Sequence, residues 1–165
     1  MQPVEDKKDK GVMTPTRRWG GLYTVGLMLL LLTFFVYHQW KGTGFFTDKF
    51  GPAEMLALYG PIVISMAPPI QRAIQGRSNP ARPLEAASDL SLAIGSIWLW
   101  NHFPFNFTHL ADPFPSAMHF AFAWITNNVG RFILLLQIVI SFISSISTIM
   151  TYLSERRNRK NSAGC

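Results

Sequence analysis

Charged residues are scarce in this chain, and their scarcity is uneven. Of 165 residues, 15 are Lys or Arg and 9 are Asp or Glu, so 15% of the chain is charged while 48% is hydrophobic. Soluble domains carry about 25% charged residues. The charges gather in residues 1–18, 72–89 and 155–165, with long uncharged segments between them. This pattern excludes a disordered chain and a basic nucleic-acid-binding domain, and it predicts a polytopic membrane protein with no nucleic-acid partner.

Cysteine and catalytic motifs are also missing. The chain has one cysteine, Cys165, so an intramolecular disulfide is impossible and a disulfide-rich scaffold is excluded. The sequence contains no nucleophile elbow, phosphate-binding loop, zinc-binding pattern or carboxylate dyad. We therefore expect no enzymatic activity.

Four apolar segments are long enough to form membrane-spanning helices. A bilayer core of about 30 Å needs about 20 helical residues, within a range of roughly 17–25. We predict an all-α, polytopic integral membrane protein with four transmembrane helices, at about 19–40, 55–71, 87–103 and 132–153. The remaining segments are a disordered N-terminal tail (1–18), an outer segment (104–130) and a basic C-terminal tail (154–165). Residues 116–126 are apolar but too few to span a bilayer, so we predict that they form an interfacial helix or an outward extension of the last span.

Proline interrupts the second span. Pro61, Pro68 and Pro69 lie in or at the end of this segment. Each proline removes a backbone donor and clashes with the carbonyl one turn back. We expect the helix to be kinked or broken near Gly60 and Pro61, and this helix break serves either as a static packing kink or as a gating hinge.

The distribution of Lys and Arg predicts the orientation. With four spans, 12 of the 15 basic residues fall on the side that holds both termini. The positive-inside rule places that side in the cytoplasm. The topology anchors are Arg17, Arg18, Arg72, Arg77, Arg82, Arg156 and Arg157.

A polar face follows the fourth span. Its members are spaced at intervals of 4, 3, 4 and 3, which places them on one side of a helix: Gln137, Ser141, Ser144, Thr148 and Thr151. Such a face indicates helix packing, or alternatively the lining of a pore. No ionisable residue lies in the middle of a span, which disfavours a proton-coupled carrier.

The histidines all fall on the predicted outer side: His38, His102, His109 and His119. Imidazoles can hold a metal or haem, but no pair here has the i, i+3 or i, i+4 spacing of a helical metal site. We predict no cofactor, and haem or metal on these histidines is the alternative.

Together these features predict a non-enzymatic multi-pass membrane protein that acts as an accessory, structural or assembly subunit of a membrane complex. Its partners are membrane lipids and other transmembrane helices, in a homo-oligomer or a larger complex. One alternative is a small channel, holin-like pore or facilitator lined by the polar face of the fourth span. A second alternative is a redox subunit that binds haem or metal through the outer histidines.

Overall fold

A computed structural model describes residues 15–75 and 81–163 of the chain. Within these residues the protein is helical and has no strands, which confirms the all-α prediction. The helices are α1 (Pro15–Lys41), α2 (Pro52–Gln75), α3 (Arg82–His102), α4 (His119–Phe122) and α5 (Asn127–Ala163). Two short 3₁₀ turns, Phe107–His109 and Ser116–Met118, lie between α3 and α4.

Three of the described helices are long and apolar enough to cross a membrane. They are Gly20–Lys41, Pro52–Gln75 and Asn127–Ser154, with mean hydropathies of 1.9, 1.3 and 2.3. They coincide with the first, second and last predicted spans, so membrane insertion is supported for these three helices. The third predicted span, 87–103, falls in α3, which is more polar because its first turns carry Arg82, Glu85 and Asp89.

Two helices extend into segments that we expected to be tails. Helix α1 begins at Pro15, so residues 15–18 are helical, since proline in a first turn lacks only an N–H that has no helical partner. Helix α5 continues to Ala163 because the Glu, Arg and Lys residues beyond its apolar part are good helix formers. At 37 residues, α5 is about 55 Å long. The rest of the predicted tails, 1–14 and 164–165, lies outside the described residues.

The helix predicted at 116–126 is shorter than expected. The chain forms a 3₁₀ turn at Ser116–Met118 and one helical turn, α4, at His119–Phe122. The Ile125 backbone N–H donates to the Phe122 carbonyl (2.9 Å), and α5 then begins at Asn127. This turn separates α4 from α5, so the segment is not a continuous extension of the last helix.

The four long helices form an antiparallel row. Helix α1 packs against α2, α2 against α3, and α3 against α5. At one end of the row Gly21 of α1 lies against Pro69 near the end of α2. At the opposite end the Tyr59 hydroxyl of α2 donates to Gln39 Oε1 of α1 (2.6 Å). We call the end with the start of α1 and the end of α2 the basic end, and the opposite end the aromatic end.

The buried residues of α3 are mostly small or hydroxylated, α2 also buries the larger Leu58, Ile62 and Met66, and the outer faces of the row are apolar. The buried residues of α3 are Ala86, Ser88, Ala93, Gly95, Ser96 and Leu99. By contrast, Leu30, Ile143 and Met150 are 68%, 63% and 67% exposed. A helix of a soluble protein turns its large apolar side chains towards the core. Small and hydroxylated residues at the helix contacts, with large apolar residues outside, are typical of helices packed within lipid.

Candidate functional site

The polar face predicted on the last span lies in α5 and is turned towards α3, the long helix packed against it. Ser141 is 3% exposed, and Gln137 Nε2 donates a hydrogen bond to its Oγ (2.8 Å). Ser144 Oγ donates to Asp89 Oδ2 of α3 at 2.5 Å. Gln137 and Ser141 therefore bond to each other within α5, whereas Ser144 bonds across the contact between α3 and α5.

The face differs from its predicted membership at one end. Thr148 is half-buried, whereas Thr151 is exposed and its hydroxyl donates to the Ser147 carbonyl of its own helix. Ser145, which we did not include, is 5% exposed, and its Oγ donates to the Ala86 carbonyl of α3 (3.3 Å). Positions 141 and 145 are one helical turn apart, so a 3.6-residue period drawn through Ser141 would have found Ser145.

Gly60 and Pro61, where we expected a kink or a break, lie at a close contact between helices. Helix α2 continues through both residues, so the chain is not broken there, and a kink stays a prediction. Pro61 cannot donate to the Ala57 carbonyl one turn back. That carbonyl faces Gly95 of α3, where a Cβ would lie 2.4 Å from the Ala57 oxygen and 2.8 Å from Pro61 Cγ. Helix α3 thus covers the carbonyl that Pro61 leaves without its usual donor, and only glycine allows this approach.

The basic residues that we predicted as topology anchors lie at the basic end wherever the structure describes them. Arg72 near the end of α2 forms an ion pair with Glu85 of α3 (2.8 Å), and Arg82 begins α3. The remaining anchors are Arg17 and Arg18 in the first turn of α1, Arg156 and Arg157 late in α5, and Arg77, which lies outside the described residues.

The histidines predicted on the outer side lie at the aromatic end, two of them in helices of the row. His38 of α1 is 1% exposed. Its Nδ1 shares a 2.5 Å hydrogen bond with Thr43 Oγ1, and its Nε2 is buried without a hydrogen-bond partner. His102 at the end of α3 stacks on Trp98, with ring centroids 4.3 Å apart.

The other two histidines form contacts within the outer segment. His109 Nδ1 lies 3.0 Å from Asp112 Oδ2, and His119 Nε2 lies 3.0 Å from the Phe114 carbonyl oxygen. Within residues 15–75 and 81–163, no three His, Cys, Asp or Glu side chains come together in a way that could hold a metal ion. Our expectation that the protein binds no cofactor stays a prediction.

A buried carboxylate that we did not predict joins α2 to α3 at the aromatic end. Glu54 is 7% exposed. Its Oε2 accepts a hydrogen bond from the Gly51 backbone N–H (3.0 Å), and its Oε1 accepts one from Trp98 Nε1 (3.1 Å). The first bond caps the start of α2, because a glutamate in the first turn reaches back to the residue before the helix. The second bond fixes the distance between the two helices.

The two loops at the aromatic end are hydrogen-bonded to each other. The Asn106 N–H donates to the Phe45 carbonyl (2.7 Å), and the Thr47 N–H donates to the Pro104 carbonyl (2.9 Å). Phe45 is 1% exposed. Its ring centroid lies 5.1–5.6 Å from those of its neighbours Phe46, Phe105 and Phe107. We call these paired loops and their aromatic side chains the aromatic cap.

The outer segment encloses an open cavity of about 520 Å³ beside the cap. Its lining includes Phe107, His119 and Asn127. Asn127 Oδ1 accepts a hydrogen bond from the Phe107 N–H (2.8 Å), which ties the start of α5 to the segment after α3. These polar groups support the backbone of the outer segment, so their geometry points to a structural role.

No protein-family model, curated protein or solved structure matches this chain.

Proposed function

We propose that this protein is a non-enzymatic, four-span membrane protein that acts as an accessory, structural or assembly subunit of a membrane complex. The observation that carries the proposal is the open row of helices, in which α3 turns mostly small and hydroxylated residues towards its neighbours while the outer faces of the row are apolar. A closed bundle would have both flanks covered by its own helices. An open row offers two long apolar flanks to lipid and to partner helices.

The position of α3 supports a fourth span. Helix α3 lies between α2 and α5, and both of these neighbours are apolar enough to cross a membrane. Arg82, Glu85 and Asp89 all lie in its first turns at the basic end, and the segment from Leu90 to His102 has no acidic or basic residue other than its terminal histidine. Its charges therefore fall where a transmembrane helix meets water.

In this proposal both termini lie on the cytoplasmic side, which is the orientation that the positive-inside rule favours. The single cysteine, Cys165, gives a direct test. In intact cells a membrane-impermeant maleimide should leave Cys165 unlabelled, and it should label the protein once the cells are permeabilised. The control variant carries C165S with Asp48→Cys in the exposed α1–α2 loop, and it should be labelled in intact cells. Labelling of Cys165 in intact cells would overturn the orientation.

The outer segment is the surface that we assign to partner binding. Phe120 of α4 is 81% exposed and Trp124 is 66% exposed, on a segment with polar groups on either side. Together with Met118, which is 45% exposed, they form an apolar patch larger than a short loop needs. In the proposed topology this patch lies at the outer membrane interface, where aromatic side chains are favoured.

A purification from native membranes tests the association. We expect the full chain in mild detergent to elute as an oligomer or with a partner in fixed stoichiometry. The F120A/W124A double variant should lose that association, whereas Trp40→Ala, which removes an 80% exposed Trp from the end of α1, should keep it. A lone monomer with no co-purifying protein would contradict the proposal.

The pore alternative has less support because its polar face lies against α3. Ser141 and Ser145 are 3% and 5% exposed, so they are covered by protein. Flux through liposomes that is abolished by Ser141→Leu and Ser144→Leu would favour the pore. An absorption spectrum and metal analysis of the purified protein test the haem or metal alternative.

A further inference from the structure

A cleft at the basic end contains charges of both signs. Its volume is about 530 Å³, within the range of roughly 300–1,000 Å³ that is usual for ligand sites. Residues of α1, α2 and α3 line it, and α2 is the helix packed against both of the others. The charged groups that line it are Arg72, Arg82, Glu85 and Asp89.

The charges are arranged by sign and by helix face. Glu85 and Asp89 are four residues apart in α3, so they project from the same face. Arg72 reaches across from α2 to Glu85, and the side chains of this pair are 30% and 34% exposed. Among the described lining residues, two guanidinium groups and two carboxylates lie together, so a ligand with one charge of each sign finds a partner for both charges, whereas an anion finds one only for its phosphate.

The cleft also changes from charged to apolar along the helices. Leu92 lies seven residues beyond Glu85 in α3, which corresponds to about 10 Å along the helix axis. Met28 of α1, Leu92 of α3 and Ser65 of α2, whose hydroxyl donates to the Ile62 carbonyl of its own helix, line the part away from the charged end. A phospholipid has the same order, with a charged headgroup at the water interface and acyl chains towards the bilayer centre.

We propose that this cleft binds the headgroup of a phospholipid that carries a primary ammonium group, such as phosphatidylethanolamine. The phosphate lies against the guanidinium groups of Arg72 and Arg82, because arginine matches phosphate geometry. The ammonium lies between Glu85 and Asp89 and donates hydrogen bonds to these carboxylates in addition to those that they already accept from Arg72 and Ser144. Placing the acyl chains within the bilayer rests on the proposed membrane topology, whereas recognition of the headgroup does not.

The experiment is native mass spectrometry of the full chain in detergent, titrated with three lipids of identical acyl chains. The lipids are phosphatidylethanolamine, phosphatidylcholine, whose quaternary ammonium cannot donate hydrogen bonds, and phosphatidylglycerol, which has no cationic group. We expect the ethanolamine lipid to bind about tenfold more tightly than either of the others. Equal binding of all three lipids, or tightest binding of phosphatidylglycerol, would overturn the proposal.

Variants and a soluble ligand sharpen the test. The E85Q/D89N double variant should lose the preference for the ethanolamine lipid and bind phosphatidylglycerol at least as well, because the cleft then carries net positive charge. The control Arg157→Gln, at an exposed position late in α5, should keep the preference. Glycerophosphoethanolamine, which lacks acyl chains, should bind more weakly than the lipid, and equal affinity would show that the site takes a soluble phosphate ester. If the double variant does not fold, the lipid panel on the wild-type protein still decides.

Discussion

Gly95 of α3 is the position at which one added methyl group should have a large effect on packing. A Cβ there would lie 2.4 Å from the Ala57 carbonyl oxygen and 2.8 Å from Pro61 Cγ, whereas ordinary contacts of a Cβ are 3.4–4 Å. To relieve the shorter contact, α2 and α3 must separate by about 1 Å at their crossing. The oxygen belongs to the backbone, so no side-chain rotation can remove the clash.

The magnitude follows from two opposing effects of Gly95→Ala. Overpacking in a close-packed interface destabilises a protein by about 1–3 kcal/mol. Alanine favours a helix over glycine by up to about 1 kcal/mol. Because the clash is with a backbone oxygen that cannot rotate away, the overpacking cost lies in the upper part of its range, at about 2–3 kcal/mol. After a gain of about 1 kcal/mol in helix propensity, we expect Gly95→Ala to lower the free energy of unfolding by about 1–2 kcal/mol.

The assay is reversible unfolding in mixed micelles with increasing SDS, followed by tryptophan fluorescence and by far-ultraviolet circular dichroism. The matched control is Gly26→Ala in α1, where a Cβ would meet no atom within 4 Å. That variant gains helix propensity without a clash, so it should be as stable as the wild type or slightly more stable. If the unfolding free energy of Gly95→Ala stayed within about 0.5 kcal/mol of the wild type, the close α2–α3 crossing would be refuted.

Pro61→Ala tests whether the crossing and the proline are coupled. This change removes Pro61 Cγ, one of the two atoms that a Cβ on Gly95 would meet, and restores a donor to the Ala57 carbonyl. In a double-mutant cycle, Pro61→Ala should reduce the loss caused by Gly95→Ala, with a coupling energy of at least about 0.5 kcal/mol. Strict additivity of the two changes would mean that Pro61 takes no part in the contact.

Two further pairs of variants use the same SDS titration. Phe45→Ala, in the aromatic cap at 1% exposure, should lower the unfolding free energy by about 3–5 kcal/mol, while Phe132→Ala, at 63% exposure, should change it by about 0.5 kcal/mol or less. Ser145→Leu removes a hydrogen bond to the Ala86 carbonyl and overpacks the α3–α5 contact, so it should destabilise by about 1–3 kcal/mol. Ser147→Leu, at an exposed position of the same helix, should have little effect. Equal effects within either pair would contradict the assigned packing.

The membrane-spanning segments could be predicted because insertion into lipid depends on local composition. Each of the three helices that fit a bilayer contains a long run with few charges, and that run is visible without any knowledge of the fold. Helix α3 is harder to assign because Arg82, Glu85 and Asp89 lower its hydropathy. Its position between two apolar helices is a feature of the tertiary structure, which the composition of α3 does not reveal.

The continuity of α2 could not be predicted from its prolines. Pro61 removes one hydrogen bond, but whether the helix breaks depends on what covers the Ala57 carbonyl. The structure places Gly95 there, from a helix more than thirty residues away in the chain. The rule that proline disrupts a helix considers only the helix that contains the proline, so it does not include this contact with α3.

The contacts at the aromatic end are likewise absent from any periodic pattern. Asn106 pairs with Phe45 through backbone atoms, and Trp98 donates to Glu54, so each pair joins residues more than forty positions apart. Loops do not repeat every 2 or 3.6 residues, so their side-chain spacing predicts no partner. By contrast, the polar face of α5 follows helical spacing, and four of its five predicted members are partly or fully buried.

The two flanks of the row differ in a way that bears on where a partner binds. Helix α1 is apolar over most of its surface: Leu22, Leu27 and Leu31 are 46%, 47% and 40% exposed. A helix that is apolar on most faces gains little by exchanging lipid for a protein neighbour, because lipid tails are equally apolar. The attachment of α1 to α2 includes the Gly21–Pro69 contact at the basic end, the packing of Met28, Leu32 and Phe35 on the core, and the Tyr59–Gln39 hydrogen bond at the aromatic end. The outer segment next to α5 carries both exposed aromatic rings and polar groups. Lipid tails offer no hydrogen bonds to polar groups, so we expect a protein partner to bind more favourably there than along α1.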